Sequence, residues 1–322
     1  MSKNSSGAAR HLVTGTAPFA AAGMVCPDTA YAALSPVAGR RKLNLAFGSY
    51  AGFKLLFPAG PLIVGTGLGY GGNDVILYAA VLFIPVWLAG AIWSGLFAVA
   101  SPEEPACTPR TTAFSSLIMF APFILLGGLL ICGVAFDLSG NVLIDFVTKP
   151  KGALIAAAIL AMSQIPTAQR RDAIDSAVRR TGALLLVIGA ASAFGRVLTA
   201  VVPLGEIIPA GTGLAGIIGL FLLTALFKLA QGSSMATFAA IAPVAAPIVL
   251  VAGLSPLASV LAICLGSFVA ILPNDSFYWL VRRDALAEMS EPGAIGILAG
   301  GAMLQAITGM AVLLLLAWPG IV

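Results

Sequence analysis

Charge is scarce in this sequence. Asp, Glu, Lys and Arg make up 9% of its 322 residues, against about a quarter in soluble domains. A water-facing surface cannot be assembled from so few. Histidine is scarcer still. His11 stands alone in the polar N-terminal tail, so no Ser–His or Cys–His pair can form within the apolar segments. No HExxH, no GxSxG and no GxxxxGK followed by Ser or Thr occurs, which excludes the common hydrolase and ATP-motor signatures. Cys26, Cys107, Cys132 and Cys264 are scattered singly, without CxxC or Cys/His spacing. They read as small packing residues rather than a metal or disulfide framework. We expect no enzyme, no catalytic residue, no metal site and no cofactor.

Hydrophobic residues are abundant, at 59%, and the mean hydropathy is +1.02. The apolar runs are unbroken for about twenty residues, the length a helix needs to cross hydrocarbon. Barrel strands would instead alternate apolar and polar positions over about ten residues. The expected fold class is all-α: a polytopic membrane protein of nine or ten hydrophobic segments. The clearest runs are 75–99, 112–136, 181–203, 213–231, 235–253, 256–280 and 293–318; 12–38, 43–69 and 151–168 are shorter or interrupted. One membrane domain over 1–322 is expected. It divides into a polar tail (1–11), N-terminal helices (12–168), a basic loop (169–180) and a C-terminal part (181–322) that contains a possible hairpin at 213–253. The first eleven residues lack an apolar h-region, so no cleavable signal peptide is expected.

The net charge of +4 does not point to nucleic acid, because the basic residues sit in short loops between apolar runs. Arg40-Arg41-Lys42, Arg170 to Arg180 and Arg282-Arg283 are separated by even numbers of segments. All three can therefore be cytoplasmic under the positive-inside rule. Pairing 213–231 with 235–253 as a re-entrant hairpin, instead of two spans, leaves that parity unchanged.

Polar residues inside apolar runs are the informative positions, because such groups usually face a cavity or pathway. In the first cluster, Pro273, Asn274, Asp275 and Ser276 interrupt the run 256–280. They read either as a broken helix at a binding site or as a helix cap at an interface. In the second, Gln231, Gly232, Ser233, Ser234 and Thr237 lie between two apolar stretches. That is the composition of a hairpin tip whose helix N-termini bind an anion, or of an ordinary turn. Lys228 beside it reads either as a cation that attracts an anionic substrate or as a residue snorkelling to an interface, with snorkelling the expected role. The third cluster couples Asp28 and Thr29, behind Pro27, with the Pro58, Gly60 and Pro61 break, which serves either a pathway or packing. Arg196 and Glu206 read as a helix-end anchor and a solvated turn residue. Broken helices with scattered polar groups suit alternating access better than a ringed pore.

From about residue 20 onward the chain resembles gluconate:proton symporters (gluconate permeases) and related sugar-acid permeases of the ion-transporter superfamily. The resemblance rests on ordered segments: Asp28 to Pro36 (DTAYAALSP), Phe57 to Leu62 (FPAGPL), Gly189 to Leu198 (GAASAFGRVL), Lys228 to Ala236 (KLAQGSSMA), and Asn274-Asp275 followed by Phe277 and Trp279. It implies two inverted repeats, each with a re-entrant hairpin whose tip holds the substrate carboxylate. Gln231, Gly232, Ser233, Ser234, Thr237, Asn274, Asp275, Ser276 and Thr29 would then bind substrate, and Asp275 and Asp28 would be candidates for proton coupling. The implied function is proton-coupled uptake, with sodium as the other possible ion, of gluconate or a similar small carboxylate. The implied setting is the bacterial cytoplasmic (inner) membrane, with a homodimer possible. Three departures stand against the family pattern. Leu272 takes the place of a histidine, the Pro-rich break is short and lacks histidine, and the resemblance starts about where the family's first repeat is expected to have ended. A truncated or partner-dependent permease is therefore the alternative. The Phe277-Tyr278 pair is similar to metal–citrate symporters and implies a second one, a citrate-type organic-anion symporter.

Overall fold

The computed structural model describes residues 14–24, 26–56, 58–72, 74–97, 140–201 and 213–318, with short pieces between 121 and 136. The described residues form helices and no strand. They fall into two compact units, residues 1–107 with 184–322 and residues 108–183.

In the first unit, α1 covers residues 14–23, followed by α2 (Pro27–Ala38), α3 (Lys42–Leu55), α4 (Gly60–Leu68) and α5 (Asp74–Leu96). The expected run 12–38 is thus split ahead of Pro27, whose fixed φ suits the first turn of α2. The run 43–69 is split between Leu55 and Gly60, at the Pro-rich break. A Cβ on Gly60 would run into the backbone carbonyl of Lys54, so glycine is what lets the chain turn back against the end of α3. Pro58, Gly60 and Pro61 are all buried.

The second unit contains α6 (Val142–Thr148), α7 (Pro150–Gln164) and the beginning of α8 (Thr167–Val201). Asn141 caps α6 by accepting from the amides of Leu143 and Ile144 at 3.0 and 3.3 Å. The segment 169–180, expected as a basic loop, is helical and continuous with the apolar stretch after it. Gln, Arg and Ala are good helix formers, and neither Gly nor Pro occurs between Pro166 and Gly182.

The first unit continues with α9 (Gly213–Gln231), α10 (Ser234–Ala252), α11 (Pro256–Gly266), α12 (Ser276–Ala285) and α13 (Glu291–Ala317). Serine hydroxyls start α10 and α11: Ser233 accepts from the Ala236 amide and Ser255 from the Ala258 amide, each at 3.3 Å. The run 256–280, expected as one segment, is broken. The break opens at Ser267, well before the Pro273 that signalled it, and helix resumes at Ser276.

Five stretches among the described residues are long and apolar enough to cross a membrane: Gly39–Leu68, which the Pro-rich break interrupts, and the helices Asp74–Leu96, Gly213–Gln231, Ser234–Ala252 and Glu291–Ala317. Their outward faces agree with that setting. On α5, Leu77, Val81, Ile84, Leu88, Ile92 and Leu96 form an exposed apolar stripe at helical spacing. Ile218, Leu222, Leu226 and Leu229 do the same on α9. Six large apolar side chains on one open face are a liability in water and the natural surface in lipid. The chain is an all-α polytopic membrane protein. The segment 112–136 and Glu206 lie largely or wholly outside the described residues, as does the side chain of Arg196.

Small and polar residues hold the inner faces together. Gly90, Gly301 and Gly309 let α5 and α13 close on Phe47, Trp93, Leu265 and Val86, the small-residue packing that replaces the hydrophobic effect between helices in lipid. Gln305, fully buried, donates to the carbonyls of Phe47 and Val86 at 3.2 Å each. Gly301→Val would drive a branched side chain into the Phe47 and Trp93 rings. We expect a loss of about 1–3 kcal/mol from overpacking, read as a lower unfolding temperature in detergent; an unchanged transition would refute this packing.

A short connection outside the spans carries a pH-sensitive contact. The Tyr70 hydroxyl donates to Asp74 at 2.6 Å, and this bond, with minor help from burial and the carboxylate's charge, pushes the phenol up to about 12. The bond needs the neutral phenol. Its contribution is therefore complete below the ordinary tyrosine range near 10 and fades as pH rises through about 12. Ultraviolet titration should show a tyrosine that ionises near pH 12 in the wild type and moves back toward 10 in Asp74→Asn.

Candidate functional site

The two helix breaks and the α9–α10 turn meet in the first unit. Gly232, in the left-handed region at φ +74°, makes the turn between α9 and α10. A Cβ there would meet the main-chain carbonyl of Asn274 in the α11–α12 break. Asn274 returns the contact, its side-chain amide donating to the Leu229 carbonyl at 2.8 Å. The sequence clusters around 231–234 and 273–276, distant in the chain, are neighbours in space.

A buried ion pair pins them. Lys228 Nζ lies 2.5 Å from Asp275 Oδ2, and the two side chains are 1% and 6% exposed. Lys228 also donates to the Gly232 carbonyl. The expectation that Lys228 snorkels to an interface is therefore wrong. The ammonium turns inward because a carboxylate and a turn carbonyl lie within its reach, and a buried charge needs such partners. Asp275 fills both roles left open by the sequence, since its other oxygen accepts the Phe277 amide at 3.0 Å and caps α12.

Lys54, which sequence reasoning did not single out, is the third charge in this interior. It is fully buried at the end of α3. Its Nζ donates to Ser234 Oγ at 2.8 Å, Ser267 O at 2.5 Å and Ser267 Oγ at 3.0 Å. It also sits 4.1 Å from the centre of the Tyr50 ring, and Tyr50 stacks on Phe277 at 5.7 Å. The signal was available: a lone charge inside the apolar run 43–69 is a functional position by default. Ser267 and Tyr50 carried no such signal, being ordinary components of apolar helices.

The remaining expected residues divide. Asp28 joins the site from α2, accepting from the Ser276 hydroxyl at 2.6 Å. Gln231, Ser233, Asn274, Ser276 and Thr29 are exposed, whereas Ser234, Asp275, Lys228 and Lys54 are buried. Thr237 is buried, and its hydroxyl donates to the Ser233 carbonyl within its own helix turn; that bond makes it part of the tip's scaffold. Pro273 offers its carbonyl to the Trp279 indole N–H at 2.8 Å. Farther along α12, Asp284 accepts from Tyr31 at 2.9 Å and from Lys42 at 2.6 Å, fastening this helix to α2 and α3. Among the described residues no cluster of three or more His, Cys, Asp or Glu is placed to hold a metal ion.

The GntP family permease profile matches residues 58–318. The Gnt-II system L-idonate transporter of Escherichia coli K12 is 25% identical over 244 residues, 69% of this chain and 56% of its own length. The gluconate permease of Pseudomonas aeruginosa PAO1 is 25% identical over 262 residues, 72% of this chain and 57% of its own length. The chain thus spans little more than half of the curated relatives it matches. The family match takes in four of the five candidate spans in full, together with the α9–α10 turn and the α11–α12 break; the first span, Gly39–Leu68, it enters only at Pro58. On that coverage, the chain belongs to the GntP permease family.

Proposed function

We propose that the chain is a secondary transporter that moves a sugar acid such as gluconate, or a similar small carboxylate, together with a proton into a bacterial cell across the cytoplasmic membrane. One observation carries the reading. With Lys54 protonated, the buried charges among the described residues are Lys54, Lys228 and Asp275, two cations against one anion, while Asp28 is only partly buried at the edge of the site. A surplus positive charge in a low-dielectric interior is costly, and a monocarboxylate brings the sum to zero. The anion's place is the tip, where the N-terminus of α10 adds its dipole and Gln231, Ser233, Asn274 and Ser276 offer hydrogen bonds to sugar hydroxyls.

The helix lengths support a tip at depth. Ser234 and Ser267 share the Lys54 ammonium. From Pro256 to Gly266 the eleven residues of α11 rise about 16 Å, roughly half of a bilayer core. A site between two broken helices near mid-depth suits alternating access. The names of the two relatives, an idonate transporter and a gluconate permease, support a hexonate over citrate.

The test is uptake of radiolabelled gluconate and related hexonates into proteoliposomes with an imposed inward proton gradient. Gradient-driven accumulation supports the reading. A folded protein that moves no carboxylate would refute independent transport and favour a partner-dependent permease.

A further inference from the structure

Both carboxylates considered for proton coupling are engaged. Asp275 is ion-paired with Lys228 and caps α12; Asp28 receives the Ser276 hydroxyl. Lys54 is different. Its three contacts are two hydroxyls and a carbonyl, with no carboxylate among them. The charged and titratable groups that face it are Tyr50 on its own helix, Cys264 of α11, Lys228 of α9 and Asp275 ahead of α12.

The cage around Lys54 can be satisfied in two protonation states. Ser267 Oγ gives its own proton to the Cys264 carbonyl at 2.6 Å, so it can only accept from Nζ. The Ser267 carbonyl can also only accept. These two acceptors use two N–H bonds, which both an ammonium and a neutral amine possess. The third partner decides the rest. The Ser234 hydroxyl accepts from an ammonium, or rotates and donates to the lone pair of an amine. Ser234 is the first residue of α10, at the tip.

We propose that Lys54 is the proton carrier of this transporter, protonated while the substrate anion occupies the tip and neutral when the site is empty. The inference rests on the transport reading above and names the group that couples it. Charge conservation gives the stoichiometry. In the empty site Lys228 and Asp275 cancel. In the loaded site the Lys54 ammonium and one monocarboxylate cancel as well, so the buried sum stays at zero in both. One proton enters with one anion, and translocation of the loaded site carries no net charge. Rotation of the Ser234 hydroxyl links the proton to the tip.

The experiment measures gluconate binding to the purified full chain by calorimetry in two buffers of different ionisation enthalpy, which counts protons taken up per anion. Wild type should take up about one. Lys54→Arg keeps a charge that a guanidinium does not release, and should bind gluconate with no proton uptake. Lys54→Met serves if the arginine does not fit, and should bind more weakly, also without uptake. Asp28→Asn alters the site through Ser276 and is expected to weaken binding, yet each anion that binds should still bring about one proton. Unfolding curves confirm that each variant is folded. Proton uptake preserved in both Lys54 variants, or lost in Asp28→Asn, overturns the proposal. Gluconate binding without proton uptake in wild type overturns it too while leaving transport intact. Absence of binding to any small carboxylate overturns the transport reading and this inference with it.

Discussion

Asp275→Asn is expected to destabilise the protein by about 3–5 kcal/mol, the usual effect of leaving one member of a buried ion pair uncompensated. Asparagine is a good helix cap, so the bond to the Phe277 amide at the start of α12 survives. What disappears is the counter-charge of Lys228, 2.5 Å away and almost fully buried. Adding Lys228→Met should recover most of the loss, since the interior then holds neither charge. A double-mutant cycle on unfolding in detergent reads both effects. A single mutant as stable as wild type, or a double mutant no better than the single, would show that the pair does not hold the tip to the break. Uptake should be lost in the single mutant and stay low in the rescued double, because the tip is then folded but electrostatically altered.

The other large effect belongs to Gly232→Ala. At φ +74° an L-residue loses about 1–2 kcal/mol, and the new methyl group also strikes the Asn274 carbonyl. The tip must then move away from the break, and a displacement near 1 Å at a binding site can lower a rate about a hundredfold. Gly253→Ala is the control. It carries the same kind of backbone, φ +63°, at the other end of α10, with nothing within 4 Å of the added Cβ. A stability loss in both variants, larger in Gly232→Ala, with uptake lost in Gly232→Ala alone, is the expected pattern. Equal uptake in both would deny the turn its place in the site.

Lys228 and Lys54 mark where sequence reasoning ran short, for different reasons. Lys228 was visible but misread as snorkelling. Its inward direction depends on Asp275, 47 residues away in the chain, and no local pattern shows that distance closing. Lys54 was legible as an intramembrane charge, yet the more conspicuous prolines of the following break drew the reading to Pro58 and Pro61. The break between α11 and α12 was expected from Pro273 and Asn274, but its opening at Ser267 was not. Only Gly266, the last residue of α11, disfavours helix there, and an isolated glycine is a weak signal. What the unwound segment supplies is a set of oxygens for Lys54, a tertiary contact that compensates for lost helix hydrogen bonds.

Composition and the length of the apolar runs by themselves determined that the chain is helical and membrane-embedded. Both follow from a local requirement: in hydrocarbon each backbone group must find its partner within its own segment. Pro27, Pro58, Gly60 and the Gly232-Ser233 turn likewise marked helix interruptions through their own backbone preferences. The tertiary structure alone decided which interruptions face one another and which charges pair across them. The Lys228–Asp275 bond, the oxygen cage of Lys54 and the close approach of Gly232 to Asn274 join segments 42 to 213 residues apart. Such contacts are selected by packing and by the high cost of an unpaired charge away from water, and neither is encoded in the spacing of neighbours along the chain.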